Sequence, residues 1–119
     1  SFGFKHGIPF GADLLFDVRF LPNPHFDAEL RPLTGLDEPV REFLRRKTDF
    51  QELVTRLADL LRFLLPRYQQ ENRSYLTIGI GCTGGQHRSV ASVEALAAQL
   101  QEAGWTVRVK HRDLERSRP

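Results

Sequence analysis

The sequence contains no methionine and a single cysteine, Cys82. One cysteine cannot form an intramolecular disulfide, and by itself it cannot supply a cysteine-rich zinc site. We therefore interpret Cys82 either as a small buried side chain or as a thiol that faces a ligand. Because the chain starts at Ser1 and contains no methionine anywhere, we interpret it as a fragment of a longer protein.

Long apolar runs are also missing. No stretch approaches the ~18 consecutive apolar residues of a membrane-spanning helix, and the first residues lack the basic, apolar and small-residue regions of a signal peptide. There is no internal repeat, no low-complexity segment and no metal-ligand cluster in the sequence. We expect a cytoplasmic domain that contacts no membrane and holds neither a metal nor a cofactor.

The composition is that of one folded domain, residues 1–119. A hydrophobic fraction of 40% and a charged fraction of 27% are ordinary values for a globular protein and argue against disorder. The net charge is only +2, but the basic residues are concentrated near the end of the chain. The candidates there for contact with a polyanion are Lys110, His111, Arg112, Arg116 and Arg118.

Alternating and helical patterns predict an α/β fold with a mainly parallel sheet of about four strands flanked by helices. The predicted strands lie near residues 2–4, 14–20, 75–80 and 105–109. One helix is predicted near residues 37–46. A second begins at Thr48, with Gln51 completing a capping box, and is kinked or ended by Pro66. A third follows Arg88 and stops at Gly104.

Residues 81–90, GCTGGQHRSV, join the third predicted strand to this last helix. A strand that turns through glycines into a helix N-terminus directs backbone N–H groups and the positive end of the helix dipole at one point. Such a loop suits a phosphate or a carboxylate. We refer to residues 82–89 as the anion cradle.

The cradle leaves two chemical interpretations open. Cys82 and Arg88 have the order and spacing of the phosphate loop in cysteine-dependent phosphatases, in which a thiolate attacks and an arginine holds the phosphate. Such an enzyme also needs a general acid, for which the candidates are Asp17 and Asp27. Arg19, two residues after Asp17, would keep that carboxylate ionised, which suits a binding site better than a catalytic acid.

A loop at residues 21–36 is longer than compact domains usually contain. Pro22, Pro24, Pro32 and Gly35 interrupt regular structure along it. It is therefore either a binding loop, with His25 as a contact, or a loop packed by its own side chains.

Five segments in matching order carry a resemblance that spans essentially the whole chain. They read DVRFLPNP at 17–24, LRPLTG at 30–35, NRSYL at 72–76, the cradle, and HRDLE at 111–115. Together they resemble the C-terminal domain of the RapZ/YvcJ family, the RNase adapter proteins.

The resemblance implies a domain that binds RNA and an amino-sugar phosphate, glucosamine-6-phosphate, and that couples this metabolite to decay of a small regulatory RNA by RNase E. It implies a fold like a phosphofructokinase subdomain and a tetramer in full-length members, with an RNase and regulatory proteins as further partners. Family members carry an N-terminal nucleotide-binding domain with a Walker A loop, and these 119 residues contain no such motif.

The same resemblance implies roles for individual residues. The metabolite site would be lined by Asp17, Arg19, His25, Cys82, Thr83, Gly84, Gly85, His87, Arg88 and Ser89. The RNA-contacting end would include Lys110, Arg112, Arg116 and Arg118. That end is contiguously basic in the enteric relatives, whereas this chain ends in ERSRP, and the lower charge density predicts weaker RNA binding.

Overall fold

The computed structural model of the chain describes residues 1–116 and confirms the α/β class. Three strands, β1 (Phe2–Gly3), β2 (Leu14–Asp17) and β3 (Ile78–Cys82), form a parallel sheet in the order β1-β3-β2. The register places Gly3 opposite Cys82 and Asp17 opposite Gly81. The carboxyl ends of all three strands therefore meet at one edge of the sheet, which is where α/β proteins collect ligand-binding groups.

Three α-helices flank the sheet: α1 (Glu38–Arg45), α2 (Thr48–Gln70) and α3 (Arg88–Glu102). Two short 3-10 helices cover Phe4–His6 and Pro24–Phe26. The leucine-rich face of α2 packs against α3 and α1 and belongs to the same core as the buried residues of the sheet. Buried side chains of this core include Val18, Leu44, Val54, Leu61, Ile80 and Leu96.

The two faces of β3 are filled in different ways. Ile80 and Cys82 point into the helix-covered core, since side chains alternate along a strand. The other face carries glycines because aromatic rings occupy the space. A Cβ placed on Gly81 would collide with the Phe2 ring and would lie 2.7 Å from Cε2 of Phe4. The IGIGC sequence thus fits a strand packed under phenyl rings.

Two predicted strands are shorter or shifted in the structure. β2 ends at Asp17, because the chain turns at residues 18–21 with Leu21 N–H donating to the Val18 carbonyl, and Phe20 is left exposed. β3 starts at Ile78 instead of residue 75. Tyr75 precedes it on the surface, after a turn in which Asn72 has a φ of 62°.

The fourth predicted strand, at residues 105–109, is wrong as a strand, since these residues have no regular structure. Trp105 and Val107 do pack against the core, as their alternation indicated. The backbone reaches the sheet only farther on, where Ser1 N donates to the Lys110 carbonyl (2.8 Å) and Arg112 N–H donates to the Ser1 carbonyl (3.0 Å). These two bonds form a single parallel bridge beside β1.

Two details of α2 also differ from prediction. Thr48 forms no capping box, because the N-cap is Lys47 and the Gln51 amide donates instead to the Arg45 carbonyl at 2.6 Å. The helix continues past Pro66 to Gln70. The predicted stop of α3 is confirmed: Gly104 has a φ of 96°, and the N–H groups of Gly104 and Trp105 donate to the carbonyls of Gln101 and Leu100.

None of the helices within residues 1–116 combines the length and the apolar composition that crossing a membrane requires.

Candidate functional site

The anion cradle lies at the carboxyl edge of the sheet, between β3 and α3. Residues 83–87 form the turn, and α3 begins at Arg88 with His87 as its N-cap. The side chain of His87 makes no cap hydrogen bond to the first turn of α3. Because β2 neighbours β3, Asp17 ends its strand beside Gly81, as the site prediction requires.

Arg88 is the buried cation of the cradle, with 5% of the residue exposed. Its Nη1 donates to the backbone carbonyls of Arg19 (2.6 Å) and Leu21 (3.2 Å), and its Nη2 donates to Thr83 Oγ1 at 3.3 Å. The guanidinium therefore connects the cradle to the turn after β2. Because a guanidinium is planar and carries several N–H donors, Nη1 can bind the turn while Nη2 binds Thr83.

Among the described residues, the hydrogen-bond acceptors of Arg88 are all neutral. Within residues 1–116, no carboxylate lies within 4.0 Å of the guanidinium. A buried charge is costly unless it is paired. The nearby carboxyl of Asp17 has a lowered pKa, caused first by hydrogen bonds from Arg19 and, as a smaller contribution, by the charge of Arg88.

Asp17 and Arg19 form an exposed ion pair at the rim of the cradle. Arg19 Nη2 lies 2.7 Å from Asp17 Oδ2, Nε lies 3.0 Å from Oδ1, and both side chains are nearly half exposed. The Arg19 guanidinium also stacks on the Phe4 ring, 3.9 Å from its centroid. A carboxylate and an oriented guanidinium are thus presented to solvent next to Arg88.

Cys82 lies beneath the loop. It is 3% exposed, and its Sγ lies 3.1 Å from Oγ of Ser89, a residue with no exposed surface. Both groups are therefore enclosed by the core. This geometry favours the interpretation of Cys82 as a buried side chain below the cradle.

Gln86 and His87 attach the cradle to the loop at residues 21–36. The Gln86 amide donates to the carbonyls of Arg31 (2.8 Å) and Leu33 (2.6 Å), and the His87 Nε2 lies 3.2 Å from the Leu30 carbonyl. Burial lowers the pKa of His87, and the carbonyl groups of residues 30–33 offset this in part. A neutral, buried imidazole there acts as a link between two segments.

The backbone of Gly84 and Gly85 packs directly against β1. A Cβ on Gly3 would collide with the Gly84 carbonyl carbon and would lie 2.8 Å from Gly85 N. Gly85 itself has a φ of 80°, which side chains other than glycine rarely adopt. Gly85 is therefore required by its backbone conformation and by close packing, since its own Cβ would lie 2.7 Å from Gly3 N, and Gly3 must be glycine because its Cβ would overlap the Gly84 backbone.

His25 is exposed on the 3-10 helix Pro24–Phe26 and makes none of the hydrogen bonds that join this loop to the cradle. Its positive form is close enough to lower the pKa of His87 slightly. Asp27, the other candidate acid, accepts the Glu29 N–H at 2.9 Å and so shapes a turn. The long loop is thus partly ordered by its own side chains.

The basic residues near the chain end differ in accessibility. Lys110 is exposed, and the Arg116 side chain is 58% exposed. His111 is mostly buried, with Nδ1 2.7 Å from Ser1 Oγ. Arg112 is occupied by a bidentate pair with Asp113 and by the Gly7 carbonyl. Arg118 lies outside the described residues.

Two surface depressions of about 390 and 330 Å³ lie away from the cradle. The first is bounded by α1, α2 and α3, and the second by Phe20 and the outer side of α2. Within the cradle Thr83 is the exposed residue, and the exposed Asp17 and Arg19 lie at its rim. In the described part of the chain, no three His, Cys, Asp or Glu side chains gather in a way that could hold a metal ion.

Comparison with known proteins assigns the family. The model of the RapZ C-terminal domain matches residues 1–115. The chain belongs to the RapZ C-terminal domain family. The match confirms the resemblance that was based on the five sequence segments. The matched range includes every residue of the cradle.

Relatives of this RapZ-type domain are similar over its whole length. The RNase adapter protein RapZ of Escherichia coli O139:H28 and that of Pectobacterium carotovorum are each 54% identical over 119 residues, or 100% of this chain and 42% of the relative. A protein of Shewanella halifaxensis named as nucleotide-binding is 54% identical over 115 residues, or 97% of this chain and 40% of the relative. The chain therefore spans about two fifths of the length of the curated relatives it matches.

Several residues that shape the site were not predicted from the sequence. Phe4 supports Arg19, Gly3 packs on the cradle glycines, and Asp113 accepts the Gly3 N–H. The alternation of phenylalanine and glycine in the first four residues was the available signal for the roles of Phe4 and Gly3. Nothing in the sequence signals that Asp113, within a basic segment, is completely buried.

Proposed function

We propose that this domain senses an amino-sugar phosphate of the glucosamine-6-phosphate type in the anion cradle and binds RNA as part of an adapter protein. In the longer protein this would couple the metabolite to small-RNA decay by an RNase. We also propose that the protein acts in the cytoplasm as a homo-oligomer and that this domain uses no cofactor.

The observation that carries the metabolite proposal is Arg88, a buried guanidinium with only neutral acceptors among the described residues. An anion bound at the exposed mouth, beside Thr83, would supply the missing negative charge. The helix N-terminus and the Arg19 side chain favour an anion at the same place. A phosphate group fits this position because it accepts several charge-assisted hydrogen bonds.

Asp17 supports the choice of an amino sugar. It is ionised and exposed at the rim, and one side of its carboxylate is already held by Arg19. A sugar ammonium could pair with the remaining acceptor positions of the carboxylate. A phosphate near Arg88 and an ammonium near Asp17 would match the two charges of the site.

The relatives' names support the adapter role but describe proteins more than twice as long. Two of them are named RNase adapter proteins, and another is named a nucleotide-binding protein. Burial of Cys82 favours binding over nucleophilic catalysis, because a thiol nucleophile must reach the phosphorus atom. We therefore favour the sensor over the cysteine phosphatase.

Two isosteric substitutions at the rim test the metabolite site. Thr83→Val removes a hydroxyl at the mouth, and Asp17→Asn removes the proposed partner of the amine. We expect millimolar glucosamine-6-phosphate to raise the melting temperature of the wild type by linkage. Each substitution should reduce that rise, because each removes one contact of about 1 kcal/mol or more.

Matched controls are available on the exposed side of α2. Thr55→Val and Asp59→Asn make the same chemical changes far from the cradle, and both should keep the wild-type shift. A wild type that shows no shift, or rim variants that respond as the controls do, would overturn the proposed site.

A further inference from the structure

The C-terminal segment is attached to β1 by a buried carboxylate. Asp113 has no exposed surface, and its Oδ2 accepts the Gly3 N–H at 2.7 Å. Arg112 pairs with both carboxylate oxygens, Nε to Oδ1 at 2.9 Å and Nη2 to Oδ2 at 2.7 Å, and also donates to the Gly7 carbonyl. We call Gly3, Arg112 and Asp113 the clasp.

The clasp touches the back of the anion cradle. A Cβ on Gly85 would lie 2.7 Å from Gly3 N and 3.1 Å from Asp113 Cβ, so Gly85 packs against both the backbone of Gly3 and the side chain of Asp113. Gly3 also packs on Gly84, as described above. No side chain separates the clasp from the cradle glycines, and a shift of Asp113 would therefore be transmitted to their peptide groups.

The carboxylate is held in its charged form. Burial by itself raises the pKa of Asp113, but hydrogen bonds from Arg112 and Gly3 lower it by more, and His6 adds a smaller electrostatic effect in the same direction. Arg116 lies on the outer side, with Nη1 3.5 Å from Asp113 Oδ1. Two of the basic residues predicted to contact RNA thus also contact this one carboxylate.

We propose that the clasp is a positioning device for the anion cradle: Asp113 fixes Gly3, and Gly3 fixes the glycine backbone that receives the ligand. The affinity of the cradle for a sugar phosphate then depends on how the C-terminal segment is seated. This rests on the proposed metabolite site. Because coupling between two sites is reciprocal, ligand binding must also tighten the C-terminal segment.

The experiment measures calorimetric binding of glucosamine-6-phosphate to the 119-residue chain and to two variants. Asp113→Asn weakens the clasp, and Asp13→Asn is its matched control. Asp13 also accepts a backbone N–H, that of Thr77 at 2.8 Å, and pairs with an arginine, Arg73 at 3.1 Å, but it lies at the opposite edge of the sheet. Circular dichroism confirms that each variant is folded at the measuring temperature.

We expect Asp113→Asn to weaken ligand binding about fivefold or more, the lower end of typical coupling, and Asp13→Asn to leave it unchanged. If Asp113→Asn does not fold, Arg112→Lys, which keeps the charge but loses the planar fork, replaces it. Hydrogen exchange on the wild type is the second readout, and the ligand should slow exchange at residues 108–116 but not at residues 62–70.

The possible failures are distinguishable. If the wild type binds no glucosamine-6-phosphate, both the proposed function and the clasp proposal fall. If the wild type binds it, but the Asp113 and Asp13 variants bind equally well and exchange at residues 108–116 is unaffected, only the clasp proposal is overturned.

Discussion

At the scale of single residues, the cradle is held by side-chain contacts with backbone carbonyls that lie far away in sequence. Arg88 donates to carbonyls 69 and 67 residues earlier, and His87 contacts one 57 residues earlier. The residue types and spacing of the cradle predicted an anion site. They could not predict that Arg88 would hold the turn after β2, because that depends on which strand neighbours β3.

Burial of His87 gives a prediction about pH. Its pKa is lowered in the folded state by burial, with the Leu33, Arg31 and Leu30 carbonyls and the His25 charge as smaller influences. The unfolded chain therefore binds a proton first as the pH falls below ~6.5, and folded stability decreases. We expect the melting temperature to decrease as the pH is lowered from 7.5 to 5.5. His111 contributes in the same direction, because burial also lowers its pKa.

The slope of melting temperature against pH, measured for the wild type and for histidine variants, tests the contribution of His87. His87→Gln should make the slope shallower without abolishing it, because His111 remains. His25→Gln replaces an exposed histidine whose charge is only a minor influence on the pKa of His87, and as the comparison variant it should change the slope much less. A slope that is identical in the wild type and in His87→Gln would contradict a buried neutral imidazole at this position.

At the scale of elements, helices were predicted better than strands. The apolar period of α2 and the glycine stop of α3 are local signals, and both helices formed where expected. Strand limits depend on pairing: β2 stops where its chain turns at Val18, and the C-terminal segment pairs with the Ser1 backbone only at Lys110 and Arg112, beyond residues 105–109. The alternation predicted that Trp105 and Val107 pack against the core, where both are partly buried, but it did not predict the exposure of Val109 or the absence of ladder bonds.

The end of α3 provides a prediction about stability. Gly104 has a φ of 96°, and a Cβ there would have no neighbour within 4 Å, so substitution costs only backbone strain. Gly104→Ala should lower the free energy of unfolding by about 1–2 kcal/mol, and Gly104→Asn by less, because asparagine tolerates this region. Urea unfolding measures both changes. Equal stability of the wild type and Gly104→Ala would show that α3 ends in another way.

At the scale of the whole molecule, the two proposed surfaces meet at β1. Gly3 packs on the cradle glycines, and the same residue donates its N–H to Asp113 of the segment that carries the basic residues. The sequence predicted a basic chain end but not which of its residues are free. Arg112 is engaged in the clasp, whereas Arg108 and Lys110 are exposed.

This arrangement predicts which residues contribute to RNA binding. Arg108→Ala and Lys110→Ala should each weaken binding of a structured RNA and reduce the slope of log affinity against log salt by about 1, as expected for one lost phosphate contact. Arg62→Ala, an exposed arginine on α2, is the control and should change neither quantity. If all three variants bind as the wild type does, the RNA surface lies elsewhere.

The central claim is that the cradle recognises a phosphate and an amine together, and calorimetry with three matched ligands tests it most directly. Glucosamine-6-phosphate carries both groups, glucose-6-phosphate lacks the amine, and glucosamine lacks the phosphate. We predict that glucosamine-6-phosphate binds the wild type at least about tenfold more tightly than either analogue, since each missing charge removes about 1.4 kcal/mol or more. Absence of binding at millimolar concentration, or equal affinity for glucosamine, would contradict the account.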